Sequence, residues 1–160
     1  MILELKTEWP QGLAELEGFL RGKGLCFQCR GHIPQSGGEI RWQYGNEKIA
    51  VRVSADRGFA WSALISDVYG WPDQWWVACE LKDLISGTSS ANSFCRRNIS
   101  VSEGKKMIQE SRDFATKGMK IIQANWDAII EAFAPENRLR THTQLKKIRA
   151  EYWAKNVFRI

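Results

Sequence analysis

The sequence predicts an α+β fold, in which an antiparallel meander of three to four strands packs against N-terminal, central and two C-terminal helices. Between residues 40 and 53, apolar residues alternate with polar ones, which is the period of half-buried strands. In residues 11–21 and again after residue 102, apolar residues recur every three or four positions, which is the period of amphipathic helices. At 160 residues, the chain has the usual size of a single domain with one core.

The first half of the chain predicts one helix followed by the sheet. A short helix is expected at 11–21, because its apolar side chains share one face and Gly22 and Gly24 follow as stop signals. Alternating residues predict strands at about 25–33, 40–44, 49–53 and 59–65. Turn sequences lie between them at PQSGG (34–38), at Gly45-Asn46 and at Asp56-Arg57-Gly58.

The segment WPDQWW, residues 71–76, predicts the start of the central helix. Pro72 interrupts the extended chain, and Asp73 is placed to cap a helix that begins near Gln74 and runs to about Ile85. Gly87 should end this helix. We therefore divide the single domain into a sheet half (1–86), a flexible connection (87–93) and a helical half (94–160).

The helical half predicts one long helix and a last helix. The long helix runs from about Ser102 to Phe133, with a bend at Gly118, and Pro135 ends it. The last helix should open near Glu136. Its predicted inner face is Leu139, Leu145, Ile148 and Tyr152, and its predicted exposed residues are Arg138, Arg140, Lys146, Lys147 and Arg149.

Charge and composition limit the class of protein. The net charge of +5 is uneven, because residues 1–93 hold nine Lys/Arg against eleven Asp/Glu, whereas residues 94–160 hold fourteen against seven. No stretch approaches the roughly 20 apolar residues that cross a membrane, and the first ten residues lack the pattern of an export signal. We therefore expect a cytoplasmic protein whose four cysteines are reduced and which does not contact a membrane.

The sequence predicts no catalytic residues, no metal site and no cofactor. Cys26 and Cys29 form a CxxC with His32 nearby, but the second half of a zinc site is missing, and residues 26 and 29 of a strand should point to opposite faces. The two histidines, His32 and His142, lie in no spacing that joins a base to a nucleophile or a carboxylate, and we expect each at the surface or in a turn. We therefore expect that the protein is not an enzyme.

Tryptophan and arginine residues near WPDQWW suggest a surface for a protein partner. Three indoles crowd a short segment that cannot easily bury all of them, and tryptophan is common at the energetic centres of interfaces. The alternative is that these indoles form a satellite core that covers one end of the sheet. The candidate partner-binding residues are Trp71, Asp73, Trp75, Trp76 and Arg57.

A second possibility is a nucleic-acid partner bound by the basic helical half. Clustered Lys and Arg side chains neutralise phosphates, although basic residues along amphipathic helices are most often a solvated face. The candidate residues for this alternative are Arg96, Arg97, Lys146, Lys147 and Arg149.

Three segments together resemble a known group of proteins. They are IRWQYGNEKIAVRVSADRGFAWSALIS, then WPDQWW with a helix that ends in LKDLISG, then NWDAIIEAFAPENRLRTHTQLKKIRAEYWAKNVF. The chain resembles, over most of residues 38–158, the small immunity proteins encoded beside bacterial polymorphic toxins, including those of contact-dependent growth inhibition. The resemblance implies a protein that binds the C-terminal domain of a cognate toxin and blocks its active site without turnover.

The charge of the chain restricts how such an inhibitor could act. Inhibitors of nucleases are often acidic because they imitate phosphate, whereas this chain is basic. Either the acidic half makes the contact, or the toxin presents an acidic surface.

Overall fold

The sheet contains five antiparallel strands whose spatial order follows the chain. In the computed structural model, which describes residues 10–33, 39–56, 60–67, 74–87 and 104–157, each strand pairs with the next strand along the chain. The strands are β1 (Cys26–Ile33), β2 (Glu39–Gly45), β3 (Ile49–Asp56), β4 (Ala60–Asp67) and β5 (Trp76–Val77). The α+β class and the meander are confirmed, with one short strand more than expected.

The turn between β2 and β3 confirms the expectation at Gly45-Asn46. The Asn46 side-chain oxygen accepts hydrogen bonds from the backbone N–H groups of Lys48 and Ile49, at 2.8 and 2.9 Å. An Asn side chain that accepts hydrogen bonds from the backbone two or three residues later closes a tight turn. The turns expected at 34–38 and around Arg57-Gly58 lie outside the described residues.

Helix α1 (Leu13–Gly22) has the predicted apolar face. Leu13, Leu16 and Leu20 are buried and Phe19 packs against the core. Gly24 follows with a φ of 81°, a left-handed conformation that glycine adopts without steric cost. The predicted stop is therefore confirmed.

The central helix α2 (Ala78–Ser86) begins later than expected. The predicted start near Gln74 is wrong because Trp76 and Val77 pair with Ile65 and Leu64 as β5 instead. Asp73 lies outside the described residues, and the Glu80 carboxylate accepts the Val77 N–H at 2.8 Å at the actual start. Gly87 ends the helix in the left-handed region, as predicted.

The predicted long helix is two helices, α3 (Gly104–Ala124) and α4 (Trp126–Ala132). The break falls at Asn125 rather than at Gly118, because the Asn125 φ and ψ of −114° and 19° depart from helical values. The Asn125 side-chain amide shares the Ile121 carbonyl with the Asn125 backbone N–H. Gly118 lies within α3, where a Cβ atom would lie only 2.9 Å from the Ala63 Cβ on β4. This glycine therefore permits close contact between helix and sheet.

The inner face of the last helix, α5 (Arg138–Val157), agrees in part with the predicted one. Leu145 is buried as predicted and Ile148 is partly buried, but Leu139, also expected inside, is 77% exposed. Thr141 and His142, which were not expected inside, are buried. The flexible connection expected at 87–93 lies, apart from Gly87, outside the described residues.

One hydrophobic core contains residues from both halves of the chain. Its sheet residues alternate along the strands, and its helical residues come from all five described helices. The sheet residues of the core include Trp42, Tyr44, Val51, Val53, Ala63 and Ile65. None of the described helices is both long enough and apolar enough to span a membrane.

Candidate partner-binding site

The side of the sheet opposite the core is the candidate site, and we call it the outer face. Side chains alternate along a strand, so neighbouring paired residues lie on one face of the sheet. Trp42, Val53 and Ala63 lie side by side on β2, β3 and β4 and face the core. Gln43, Arg52 and Leu64 lie side by side on the same strands and face outward. The described members of the outer face include Gln28, Arg41, Gln43, Arg52, Leu64 and Trp75.

A row of polar side chains crosses three strands of the outer face. The Arg52 Nε donates to the Gln43 side-chain oxygen at 3.0 Å, and the Gln43 amide donates to the Gln28 side-chain oxygen at 2.6 Å. Gln28 lies at a register shift in β1 and covers Gly45, where a Cβ atom would meet the Gln28 side chain at 2.5–2.8 Å. The absence of a side chain at Gly45 thus allows this row to form.

The row ends in a stack between Arg52 and Trp75. The Arg52 guanidinium carbon lies 3.7 Å from the centre of the Trp75 ring system, which is a close cation–π contact. Trp75 is only partly buried, and its carbonyl oxygen accepts a hydrogen bond of 2.7 Å from Arg149. The stack therefore holds a partly exposed indole in one orientation on the outer face.

The neighbouring Trp76 is a core residue. It is fully buried, so its place among the candidate partner-binding residues is wrong and the alternative that these indoles belong to a core holds for Trp76. Successive residues of a strand point to opposite faces, which places Trp76 inward. Its ring lies 4.4 Å from the Arg149 guanidinium carbon and 5.7 Å from the His142 ring. The other three candidates, Trp71, Asp73 and Arg57, lie outside the described residues.

Arg149 belongs to a buried ion pair rather than to an exposed basic face. Its Nε and Nη2 donate to the two carboxylate oxygens of Glu80 at 2.7 and 2.8 Å. Arg138 likewise pairs with Asp67, with 2.6 Å between Nε and Oδ2. The expectation that both arginines are solvated is therefore wrong.

The other candidates for nucleic-acid binding are only partly described. Lys146 and Lys147 are exposed on α5, as expected, whereas Arg96 and Arg97 lie outside the described residues.

His142 is a buried helical residue, and the expectation of a surface or turn position is wrong. It is 2% exposed, lies against the Phe133 ring, and has its Nε2 3.5 Å from the Asp67 Oδ2. Burial lowers the pKa of His142, and the nearby Asp67 carboxylate opposes that effect. Because both side chains are enclosed, this imidazole–carboxylate pair is placed to join α5 to the sheet rather than to meet a substrate.

The CxxC does not have the arrangement that the sequence suggested. Because of the register shift in β1, Cys26 pairs with Gly45 and Cys29 pairs with Gln43. Gly45 and Gln43 are two residues apart in β2, so positions 26 and 29 belong to the same face of the sheet, and the expectation of opposite faces is wrong. Cys26 is an exposed free thiol and Cys79 a buried one. Within the part of the chain that the structure describes, no group of three or more His, Cys, Asp or Glu residues is arranged to hold a metal ion.

Comparison with known proteins gives no relative from which residue roles could be transferred. No family model matches the sequence, and neither the curated proteins nor the solved structures include a significant match. Gln43 and Arg52 were not among the candidates from the sequence, although their polar positions in alternating strands were the signal that places them on the outer face.

Proposed function

We propose that this chain is a cytoplasmic immunity protein that binds the C-terminal domain of a cognate toxin in a one-to-one complex and occludes its active site. The proposal retains the function implied by the resemblance and assigns the contact to the outer face. The observation that carries this assignment is the stack of Arg52 on Trp75. Tryptophan and arginine are the residue types most enriched at the energetic centres of protein interfaces.

The stack supports binding because it fixes the indole before a partner arrives. Trp75 is held on one side by Arg52 and at its backbone by Arg149, so less side-chain freedom remains to be lost on association. The five described helices contribute to the core on the other side of the sheet, whereas Gln43, Arg52, Leu64 and Trp75 on the outer face are partly exposed.

The charge beside the Arg52–Trp75 stack favours one of the two electrostatic alternatives. By strand alternation, the outward positions of β2 and β3 hold the cationic Arg41 and Arg52 and also the acidic Glu39 and Asp56. Because Arg52 stacks on the Trp75 ring, a toxin surface that is acidic where it meets the stack would be complementary to it. We therefore propose that the toxin presents the acidic surface at this contact.

The basic-helix alternative loses support from the position of Arg149. This arginine is engaged by Glu80, so the described basic residues that remain exposed on α5 are Arg140, Lys146 and Lys147. Exposed lysines spaced along one helix are typical of a solvated surface.

The proposal is tested by titrating the purified chain with the C-terminal toxin domain encoded immediately upstream, using calorimetry. We expect a one-to-one complex, which Trp75→Ala weakens by about 30-fold, equivalent to about 2 kcal/mol. Lys147→Ala, on the exposed side of α5, is the control and should leave the affinity unchanged. Melting curves of both variants establish that each is folded.

Three outcomes would contradict the proposal in different ways. Equal affinity of Trp75→Ala and the wild type would remove the outer face from the interface. A loss of affinity in Lys147→Ala alone would move the interface to α5. Absence of toxin binding, together with RNA or DNA binding that falls steeply with added salt, would support the nucleic-acid alternative instead.

A further inference from the structure

A second candidate site lies on the helix side of the sheet, at its β1 edge. A cleft of about 200 Å³ opens there between α1 and the adjacent ends of β1 and β2. It is lined by Glu17 and Arg21 from α1 and by three aromatic residues of the strands, Phe27, Trp42 and Tyr44. The outer-face proposal uses none of these five residues.

The anionic and aromatic parts of this cleft are held in place. The Tyr44 ring is buried between Trp42, at 4.5 Å between ring centres, and Phe27, at 5.6 Å in an edge-to-face contact. The Tyr44 hydroxyl donates a hydrogen bond to the Glu17 carboxylate. Burial raises the pKa of Tyr44, and the Glu17 carboxylate raises it further, which keeps the hydroxyl protonated as the donor that fixes Glu17.

The cationic part of the cleft is the exposed one. The Arg21 side chain is 59% exposed, and its guanidinium carbon lies 5.3 Å from the centre of the Tyr44 ring. Its Nη2 is 3.2 Å from both the Glu17 carboxylate and the Tyr44 hydroxyl. An exposed ion pair one helical turn apart contributes little to stability, so another cation can replace Arg21 at low cost.

We propose that this cleft binds an organic cation, either a guanidinium or an alkylated ammonium group, and that Arg21 occupies the site in the free protein. Cation–π attraction to Tyr44 and the negative charge of Glu17 supply the recognition, as they do for Arg21 itself. An anion would instead meet the fixed Glu17 carboxylate. The cation can come from an arginine or lysine side chain of a protein or from a free quaternary ammonium compound.

The test uses the full chain with Arg21→Ala, which removes the guanidinium that occupies the site, and tetramethylammonium chloride as the probe. Saturable chemical-shift changes are expected at the backbone amides of Phe27 and Tyr44 in nuclear magnetic resonance spectra. The wild type should bind about two- to fivefold more weakly, because the probe must displace Arg21. Adding Glu17→Gln to Arg21→Ala should weaken binding again. Arg21→Gln, which keeps a polar side chain at the surface, is a second variant with the same expected direction.

Further probes distinguish a protein side chain from a free quaternary ammonium compound as the source of the cation. They also test whether the cleft binds an anion instead. Tighter binding of N-acetylarginine amide than of tetramethylammonium identifies a protein side chain as the ligand, and the reverse order identifies a free quaternary ammonium compound. Sodium chloride at equal ionic strength should cause no saturable change. The proposal is overturned if neither cation binds to Arg21→Ala or Arg21→Gln, or if sodium acetate shifts the same amides of the wild type.

Discussion

The ion pair between Arg149 and Glu80 can be tested by replacing Arg149 with methionine. Methionine keeps an apolar side chain against Trp76 but removes both hydrogen bonds to the Glu80 carboxylate and the one to the Trp75 carbonyl. The Glu80 side chain is only 7% exposed, so its charge then remains away from water, although the Val77 N–H still donates to its carboxylate. The variant therefore measures the cost of leaving a buried carboxylate without its counter-ion.

The magnitude follows from the burial of the two groups. Removing one partner of a buried ion pair costs about 3–5 kcal/mol, but Arg149 is 28% exposed and the Val77 N–H still contacts Glu80. We therefore expect a loss of about 3 kcal/mol, at the lower end of that range. For a chain of this length, this loss corresponds to a decrease in melting temperature of roughly 6–12 °C.

The assay is urea and thermal unfolding of four proteins: the wild type, Arg149→Met, the double variant Arg149→Met/Glu80→Gln, and Lys147→Ala. The double variant should recover about 1–2 kcal/mol relative to Arg149→Met, because glutamine carries no charge and can still accept the Val77 N–H. Lys147→Ala should stay within about 0.5 kcal/mol of the wild type. Our reasoning is refuted if Arg149→Met is as stable as Lys147→Ala, or if the double variant is no more stable than Arg149→Met.

Three further predictions concern the core, α5 and two helical glycines. Trp76→Ala should lower the free energy of unfolding by about 3–5 kcal/mol in urea titrations, and a loss below about 1 kcal/mol would contradict its assignment to the core. Burial lowers the pKa of His142 below its ordinary value of 6.5, so the unfolded chain binds more protons than the folded one as the pH falls past 6.5. Melting temperature should therefore decrease between pH 7.5 and 5.5, and an equally large decrease in His142→Gln would show that another group is responsible. Gly118→Ala should destabilise the protein by about 1–3 kcal/mol, because the added Cβ would meet Ala63. Gly18→Ala has open space around the added Cβ and should stabilise α1 by up to about 1 kcal/mol. If the urea midpoints of the two variants shift in the same direction, this pair of predictions is contradicted.

The elements that could be predicted from the sequence are those specified by neighbouring residues. The apolar face of α1, its stop at Gly24, and the turn at Asn46 depend on side chains within a few positions along the chain. By contrast, β5 has only two residues, and it forms a strand rather than the start of a helix because it pairs with β4. The same pairing moves the helix start from Gln74 to Ala78 and turns Trp75 and Trp76 to opposite faces of the sheet.

Only part of the inner face of α5, including Leu145, could be predicted from hydrophobicity, because charged residues occupy the rest. Arg138, His142, Leu145 and Arg149 recur at helical spacing, and three of them contact acidic residues from distant parts of the chain. One signal for these contacts was present: Asp67 continues the alternation of Trp61, Ala63 and Ile65 and thus occupies an inward position of β4. A carboxylate at such a position requires a buried partner, and α5 supplies it.

This arrangement also changes which residues can recognise a partner. Because Arg149 pairs with Glu80 and donates to the Trp75 carbonyl, it acts from the core side of the sheet and supports the indole on the outer face. If the chain binds a toxin as proposed, removing Arg149 should weaken that binding only through the position of Trp75, whereas removing the Trp75 ring should weaken it directly. Trp75 and Arg149, which the sequence suggested for two alternative partners, are neighbouring parts of one structure.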